Sequence, residues 1–457
     1  MADVAALMAE AVPAARLVVG AAISDDYAHD EALHGEHRLP ACVVRPESTE
    51  EVAAVLRVAD EHGIPVTARG SGTGLSGAAV PHPDGVLISF ERMNRVLEID
   101  DENQMAVVQP GVTLVELDEA TAAHGLVYPV FPGEYSASLG GNVATNAGGM
   151  RAVKYGVTRN QVIGLEVVLA SGEVIRTGGK VVKGSTGYDL TQLILGSEGT
   201  LAVVTEATLR LYPRPDHQVT VLAPYTTLDE VTAAVPKVVA SGIGPLILEY
   251  IDLLTMATMT AELGVELGIP EDIKSSALAY LVVGLEGHDA ERLDADTHRL
   301  ATHLHELGAL DVYVLPSHSA DALIAAREQA FYLAKGKGAD DIVDVVVPRG
   351  SIAELMNGVS DLAARTGTFV AGCGHAGDGN VHLAIFQPDA AAREQVMTDL
   401  FALGMQLGGA ISGEHGIGET KKRYVLALED PNKVALMKRI KAAFDPNDIL
   451  NPGTLFG

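Results

Sequence analysis

This chain of 457 residues has no tryptophan, and its aromatic residues together reach only 4%, so no aromatic interface cluster can be picked out. Cysteine is nearly missing too. Cys42 and Cys373 are the two present, which excludes a disulfide scaffold and fits a reducing compartment. Positive charge is scarce: 32 Lys and Arg stand against 60 Asp and Glu, for a net charge of -28. Binding DNA or RNA needs Lys and Arg to displace counterions, so no nucleic-acid partner is expected. The acidity is read as serving solubility, with a salt-adapted host or a basic partner as the alternatives. No run approaches the roughly 20 apolar residues of a membrane span. The apolar patch Ala14 to Ile23 follows Asp3 and Glu10 with Arg16 alone basic, the reverse of a secretory leader. A cytoplasmic protein is expected.

Glycine, by contrast, is plentiful. The 48 glycines cluster in short loops between apolar runs without a fixed period, as in a mixed helix-and-strand enzyme with many close backbone approaches. The length allows two or three domains. Residues 40–213 alternate strand and helix patterns. Ser48 with Glu51, and Thr113 with Glu116, read as capping boxes. Val52, Val55, Leu56 and Ala59 recur at helical spacing until Gly63. Composition shifts near Tyr212-Pro213-Arg214-Pro215, and from Val219 to Ile385 strands alternate with longer amphipathic helices. A last segment from about Gly416 carries a helix over 431–443 and the tail Phe444 to Pro452.

Gly72-x-Gly74-x-x-Gly77 follows a strand and matches the dinucleotide fingerprint. A Rossmann turn must then open a helix whose N-terminus holds the pyrophosphate. Here Pro81-His82-Pro83-Asp84-Gly85 leaves no room for one, so the nicotinamide reading fails. Three further small-residue loops change the picture. They are Ser138-Leu139-Gly140-Gly141-Asn142, Asn146-Ala147-Gly148-Gly149 with Tyr155-Gly156 behind it, and Gly196-Ser197-Glu198-Gly199-Thr200. Together they point to a large flat ligand lying close to the backbone.

Arg69-Gly-Ser-Gly-Thr-Gly-Leu-Ser-Gly77, Ser138 to Asn142, Gly196 to Thr200 and Asp448-Ile-Leu-Asn-Pro452 resemble the FAD-linked oxidases of the vanillyl-alcohol-oxidase type fold. The similar branch is that of glycolate oxidase D-subunits, D-lactate dehydrogenases and D-2-hydroxyglutarate dehydrogenases. The resemblance covers essentially the whole chain. It implies an α+β fold: a two-part FAD-binding domain over residues 1–213, an inserted substrate domain over 214–415, and a segment 416–457 that returns to the first. It assigns to FAD the stretch Arg69, Gly70, Ser71, Gly72, Thr73, Gly74, Leu75 and Ser76. It adds Pro132, Gly133, Ser138, Gly140, Gly141, Asn142, Asn146, Gly148, Gly149, Tyr155 and Gly156, then Glu198, Gly199, Val204 and Asn451. Some members attach FAD through a His in the first loop; Thr73 stands there, so non-covalent FAD is implied. A homodimer is a further family-level expectation.

The second domain carries Gly372-Cys373-Gly374-His375-Ala376-Gly377-Asp378-Gly379-Asn380-Val381-His382. Asp378-Gly379 is a two-residue hairpin signal that would set His375 directly opposite His382. Such a pair suits a divalent metal once a carboxylate joins it, and Glu414 in Ser412-Gly413-Glu414-His415-Gly416 can supply one. Ordinary core or surface histidines are the competing account, and Cys373 reads as a small buried residue. The resemblance assigns His375, His382 and Glu414 to the metal, zinc with manganese or iron as alternatives, and makes His415 the general base. It also makes Arg327, in a helix expected over Ala322 to Ala334, the clamp for a substrate carboxylate.

The reaction so implied is oxidation of a small D-2-hydroxy acid, D-lactate or glycolate, with hydride passing to flavin N5 and electrons to an unidentified acceptor. The hydroxyglutarate branch carries polar substrate contacts where this chain has Ile342 and Ala384. A second substrate carboxylate would therefore lack partners, unless Lys335 or Lys337 served a larger substrate. A non-redox flavin transferase and an electron-relay subunit are the readings from other classes.

Overall fold

The computed structural model describes residues 3–456. The helix Thr49–His62 starts where Ser48 accepts a hydrogen bond from Glu51 N at 3.3 Å. It buries Val52, Val55, Leu56 and Ala59 and stops at Gly63, which is left-handed at φ 63°. Its capping box is half formed, because the Glu51 carboxylate turns to Glu47 N at 2.7 Å. At Thr113 and Glu116 both halves form. The helix packs on a four-stranded sheet ordered Leu17–Val19, Cys42–Val44, Val86–Ser89, Val66–Arg69. No helix occurs between Gly70 and Gly85, so the glycine stretch leaves the strand as a bare loop.

A five-stranded antiparallel sheet adjoins it, ordered Val96–Asp100, Met105–Val108, Val203–Arg210, Val162–Val168, Val174–Gly178. The chain end returns to the first sheet: Val66 N donates to Ile449 O at 2.7 Å and Asn451 N to Val66 O at 2.8 Å. Ile449 and Leu450 are buried there.

The third sheet is antiparallel with seven strands, and its alternation divides two cores. Its order is Tyr313–Val314, His217–Tyr225, Ala279–Gly287, Ile247–Asp252, Phe369–His375, Asn380–Phe386, Asp341–Val346. One face packs Val221, Leu281 and Tyr250 against helices Leu228–Ala240, Ala290–Glu306, Ile352–Thr366 and Ala390–Gln406. The other packs Leu222, Ile251 and Tyr280 against Leu253–Leu263 and Ser317–Glu328. The single helix expected over Ala322 to Ala334 is two: Ser317–Glu328 and Ala330–Gly336, parted at Gln329. No proline or glycine stands at the break, so packing decides it rather than backbone chemistry. Among the described residues no helix is long and apolar enough to cross a membrane.

Candidate active site

One cavity of about 540 Å³ runs from the glycine loops to the third sheet, a size that holds a cofactor or substrate. Residues 69–76 form one wall, and Pro132, Gly133, Ser138, Gly140, Gly141, Asn142, Gly149, Glu198, Gly199 and Val204 line it further along. The loops close on one another so tightly that side chains are excluded. A Cβ at Gly70 would lie 1.8 Å from Ser138 Oγ, and one at Gly72 would lie 2.0 Å from Arg69 Nη2. Arg69 is 3% exposed, and its guanidinium donates to His29 O; it braces the loop from behind. Asn142 Nδ2 is buried without a partner, an unspent donor on a wall built of backbone. That fits a flat, acceptor-rich group such as FAD.

Five residues assigned to FAD by resemblance do not line this cavity. Asn146 is the left-handed cap, at φ 54°, of the helix Leu139–Thr145, and its Oδ1 accepts from Arg159 N at 2.9 Å. Gly148 instead makes room for the Glu414 carboxylate, since a Cβ there would sit 2.7 Å from Glu414 Oε2. Tyr155 donates its hydroxyl to Glu286 at 2.6 Å. Gly156 ends the short helix Ala152–Tyr155 at φ 77°, with a virtual Cβ 2.3 Å from Asn160 Oδ1. Asn451 Nδ2 is held by the Ala78 and Glu198 carbonyls at 2.9 and 2.8 Å. Glu198 lines the cavity, but its carboxylate turns to Ile417 N and Gly418 N, at 2.7 and 2.6 Å. It holds the loop after His415.

At the far end of the cavity the hairpin differs from expectation. His375 pairs with Asn380, and His382 with Cys373, across a four-residue loop rather than a two-residue one. The register is shifted by two residues, which leaves every side chain on its expected face. His375 and His382 are therefore diagonal neighbours, their rings 4.7 Å apart and edge to face. Glu414 Oε1 lies 3.1 Å from His375 Nε2 and 3.3 Å from His382 Nε2. The second contact lacks hydrogen-bond alignment, so His382 Nε2 stays unpartnered. One ligand atom from each of the three lies within 4.8 Å of the others. Two imidazoles and a carboxylate so placed suit a divalent transition ion.

Glu249 was not singled out from sequence, yet it organises this cluster. It is 1% exposed. Its Oε1 accepts from His375 Nδ1 at 2.7 Å, which turns His375 Nε2 toward Glu414, where an ion would replace the shared proton. Its Oε2 lies 2.8 Å from Arg327 Nη2. Burial alone would lower His375, but Glu249 and then Glu414 overturn that and push it up to about 10. The same field favours any cation in the cluster. Arg327 is buried on the last turn of its helix, and its Nε and Nη2 have no hydrogen-bond partner.

Asp344 was missed as well. It is fully buried and accepts from Ser412 Oγ at 2.9 Å and from the N–H groups of Gly413, Glu414 and His415 at 3.1, 3.0 and 2.8 Å. Lys421 Nζ closes the nest. Burial would raise this carboxyl, but His415 and Lys421 hold it well below the usual range. The nest sets the direction of Glu414 toward the two imidazoles. It also sets that of His415, whose Nδ1 is 3.8 Å from Asp344 Oδ2 and whose ring is 5.2 Å from that of His382. Burial pushes His415 down to about 4, so it is neutral at pH 7. Burial likewise pushes the Cys373 thiol up to about 11.

Comparison with known proteins agrees with this geometry. Residues 40–178 match the FAD binding domain model, and residues 214–455 the model of FAD linked oxidases, C-terminal domain. An FAD-linked oxidoreductase of Mycobacterium tuberculosis is 58% identical over all of both chains. The D-lactate dehydrogenase of Anaerostipes hadrus is 40% identical, covering 96% of this chain and 94% of its own. Glycolate oxidase subunit GlcD of Bacillus subtilis is also 40% identical, covering 92% and 89%. The solved p-cresol methylhydroxylase shares the fold at a TM-score of 0.81 and 19% identity, covering 98% of this chain and 95% of its own. The chain therefore belongs to the FAD-linked oxidases, a family of FAD-binding oxidoreductases.

Proposed function

We propose that this oxidoreductase oxidises a small D-2-hydroxy acid, of the lactate or glycolate kind, to the 2-oxo acid. The observation that carries this reading is the convergence of Arg327, the His375–His382–Glu414 cluster and His415 at the end of the cofactor cavity. An anion clamp, a cation site and a neutral base in one pocket match a carboxylate, a hydroxyl and its proton.

Arg327 takes the substrate carboxylate with the guanidinium donors that its ion pair with Glu249 leaves over, Nε among them. His375, His382 and Glu414 hold a divalent ion, zinc with manganese or iron as alternatives, which when bound supplies Lewis-acid polarisation of the 2-hydroxyl. His415 takes the hydroxyl proton on a ring nitrogen. A base held near pH 4 needs that hydroxyl acidified, and Glu414 of the cluster is its neighbour in the chain. FAD, non-covalent because Thr73 replaces the attachment histidine, supplies when bound a hydride acceptor at N5 for the hydrogen that leaves C2 with its electron pair. Glu249 holds His375 and Arg327 in register with each other.

A small monocarboxylate is favoured over a dicarboxylate. Ile342 and Ala384 face each other in the strand register and line the cavity with Phe369 and Phe386. Arg69, Arg327 and Lys337 are the cations lining it. Arg69 braces the glycine loop, and Lys337 is paired with Glu262; Lys335 is paired with Glu31 and lies off the cavity. Arg327 shares Nη2 with Glu249 but keeps Nε unpartnered, so it is the cation left for one substrate carboxylate.

The test is an anaerobic titration of the flavin absorbance with D-lactate, glycolate, D-2-hydroxyglutarate and the L-isomers. Bleaching by D-lactate or glycolate, lost with chelator, is the expected result. A flavin band that no hydroxy acid bleaches would overturn the reading in favour of a non-redox transferase or a relay subunit.

A further inference from the structure

Among the described residues a second group has metal-ligand geometry, and the oxidation just described does not use it. Asp25, His29 and His37 place one ligand atom each within 4.8 Å of one another, and none of them lines the cavity. We propose that these three residues form a separate divalent-metal site, for an ion of the zinc, cobalt or nickel kind, which fastens segment 25–37 against the glycine loop.

The local backbone brings the three donors together. Ser24 caps the short turn Asp25–Ala28, so Asp25 opens the turn and His29 follows it. Arg38 N donates to Ala28 O at 2.9 Å, which returns His37 to the side of His29. The two imidazoles stack with centroids 4.5 Å apart and planes 26° from parallel. His29 Nδ1 meets the Asp30 carbonyl at 3.0 Å. It must donate there, which leaves Nε2 as the lone-pair nitrogen, the arrangement usual for a metal-binding histidine. Neither histidine nor Asp25 takes part in an ion pair among the described residues. Two imidazoles and one carboxylate are a borderline-soft set, which suits zinc-like ions and not the all-oxygen preference of calcium or magnesium. Asp25 and His37 are exposed, so water completes the coordination.

The segment is attached to the glycine loop on either side of Asp30, next to His29. The His29 carbonyl accepts from Arg69, whose guanidinium lies under Gly72. Glu31 N donates to Gly74 O at 2.8 Å. An ion across Asp25, His29 and His37 ties the two arms of this segment together and so stiffens the brace behind residues 69–74. The site acts on how firmly that loop is held, not on the chemistry at His415.

The experiment uses tag-free protein, stripped with chelator, reconstituted with FAD and dialysed against low Zn2+. Zinc per chain and the temperature of flavin release are read for the wild type and for His37→Gln, with His29→Gln as a second variant. His37 is exposed, so the substitution should leave fold and turnover intact. The wild type should hold one zinc equivalent more than either variant. With zinc its flavin release should rise by about 2–4 °C more than that of either variant. Equal zinc in wild type and both variants overturns the site. Loss of the equivalent with no change in flavin release overturns the fastening role. Neither result depends on whether His375, His382 and Glu414 bind an ion, because that cluster is untouched in every sample.

Discussion

The two ends of the cavity are built on opposite principles. At the glycine-loop end, function requires side chains to be absent: Gly70 and Gly72 bring backbone to within a virtual Cβ's reach of Ser138 and Arg69. At the third-sheet end it requires charge to be present, with Glu249, Asp344 and Arg327 all nearly inaccessible. The first end tolerates no added atom, and the second no lost charge. Damage should accordingly be steric and local at one end, electrostatic and far-reaching at the other.

The largest effect should follow at the reacting group. His415→Gln is expected to lower turnover with a D-hydroxy acid about 10²–10⁴-fold, the usual share of a general base, while the flavin spectrum stays unchanged. Stopped-flow reduction of the flavin checks this, and near-wild-type reduction would remove His415 from the base role. Next, Asp344→Asn leaves Lys421 buried without its counter-charge and should cost about 3–5 kcal/mol of stability in urea unfolding. The double variant Asp344→Asn/Lys421→Met should recover part of that. A single-variant loss below about 1 kcal/mol would show that solvent reaches the nest.

Glu249→Gln keeps the shape and removes the charge that faces His375 and Arg327. A metal affinity about 10–100-fold weaker is expected, measured by competition with a chromophoric chelator, together with a higher KM for the acid. Unchanged affinity would reduce Glu249 to a packing role. The smallest effect tests the other end. Gly70→Ala must displace Ser138 Oγ, the cap of the helix Leu139–Thr145, at a cost of about 1 kcal/mol with weaker FAD binding. Pairing it with Ser138→Gly should restore FAD affinity if the fault is steric. No recovery would mean that the Ser138 hydroxyl itself matters more than the clearance.

Much of the glycine-loop end was legible beforehand because its signals are local. A glycine run after a strand, with prolines where a helix would start, already excluded a Rossmann turn, and residues 70–85 indeed hold no helix. Five of the residues assigned there to FAD, Asn146, Gly148, Tyr155, Gly156 and Asn451, do not line the cavity. Their contacts are a cap, a clearance, a carboxylate or a carbonyl. Composition cannot separate a glycine that faces a ligand from one that faces Glu414.

The linear order of residues determined by itself the helix stops, the parity of the hairpin that puts His375 and His382 on one face, and the apolar pair Ile342 and Ala384. Such features depend on periods of two or 3.6 and on turn chemistry within a few neighbours. The tertiary structure alone decided that Glu249 would reach His375 from 126 positions away. It likewise decided that Asp344 would collect the backbone of residues 413–415. A buried carboxylate leaves no local mark, since its partners are N–H groups and side chains brought up by other strands. Only closure of the sheet, which removes water and makes pairing obligatory, gives these two acids their role.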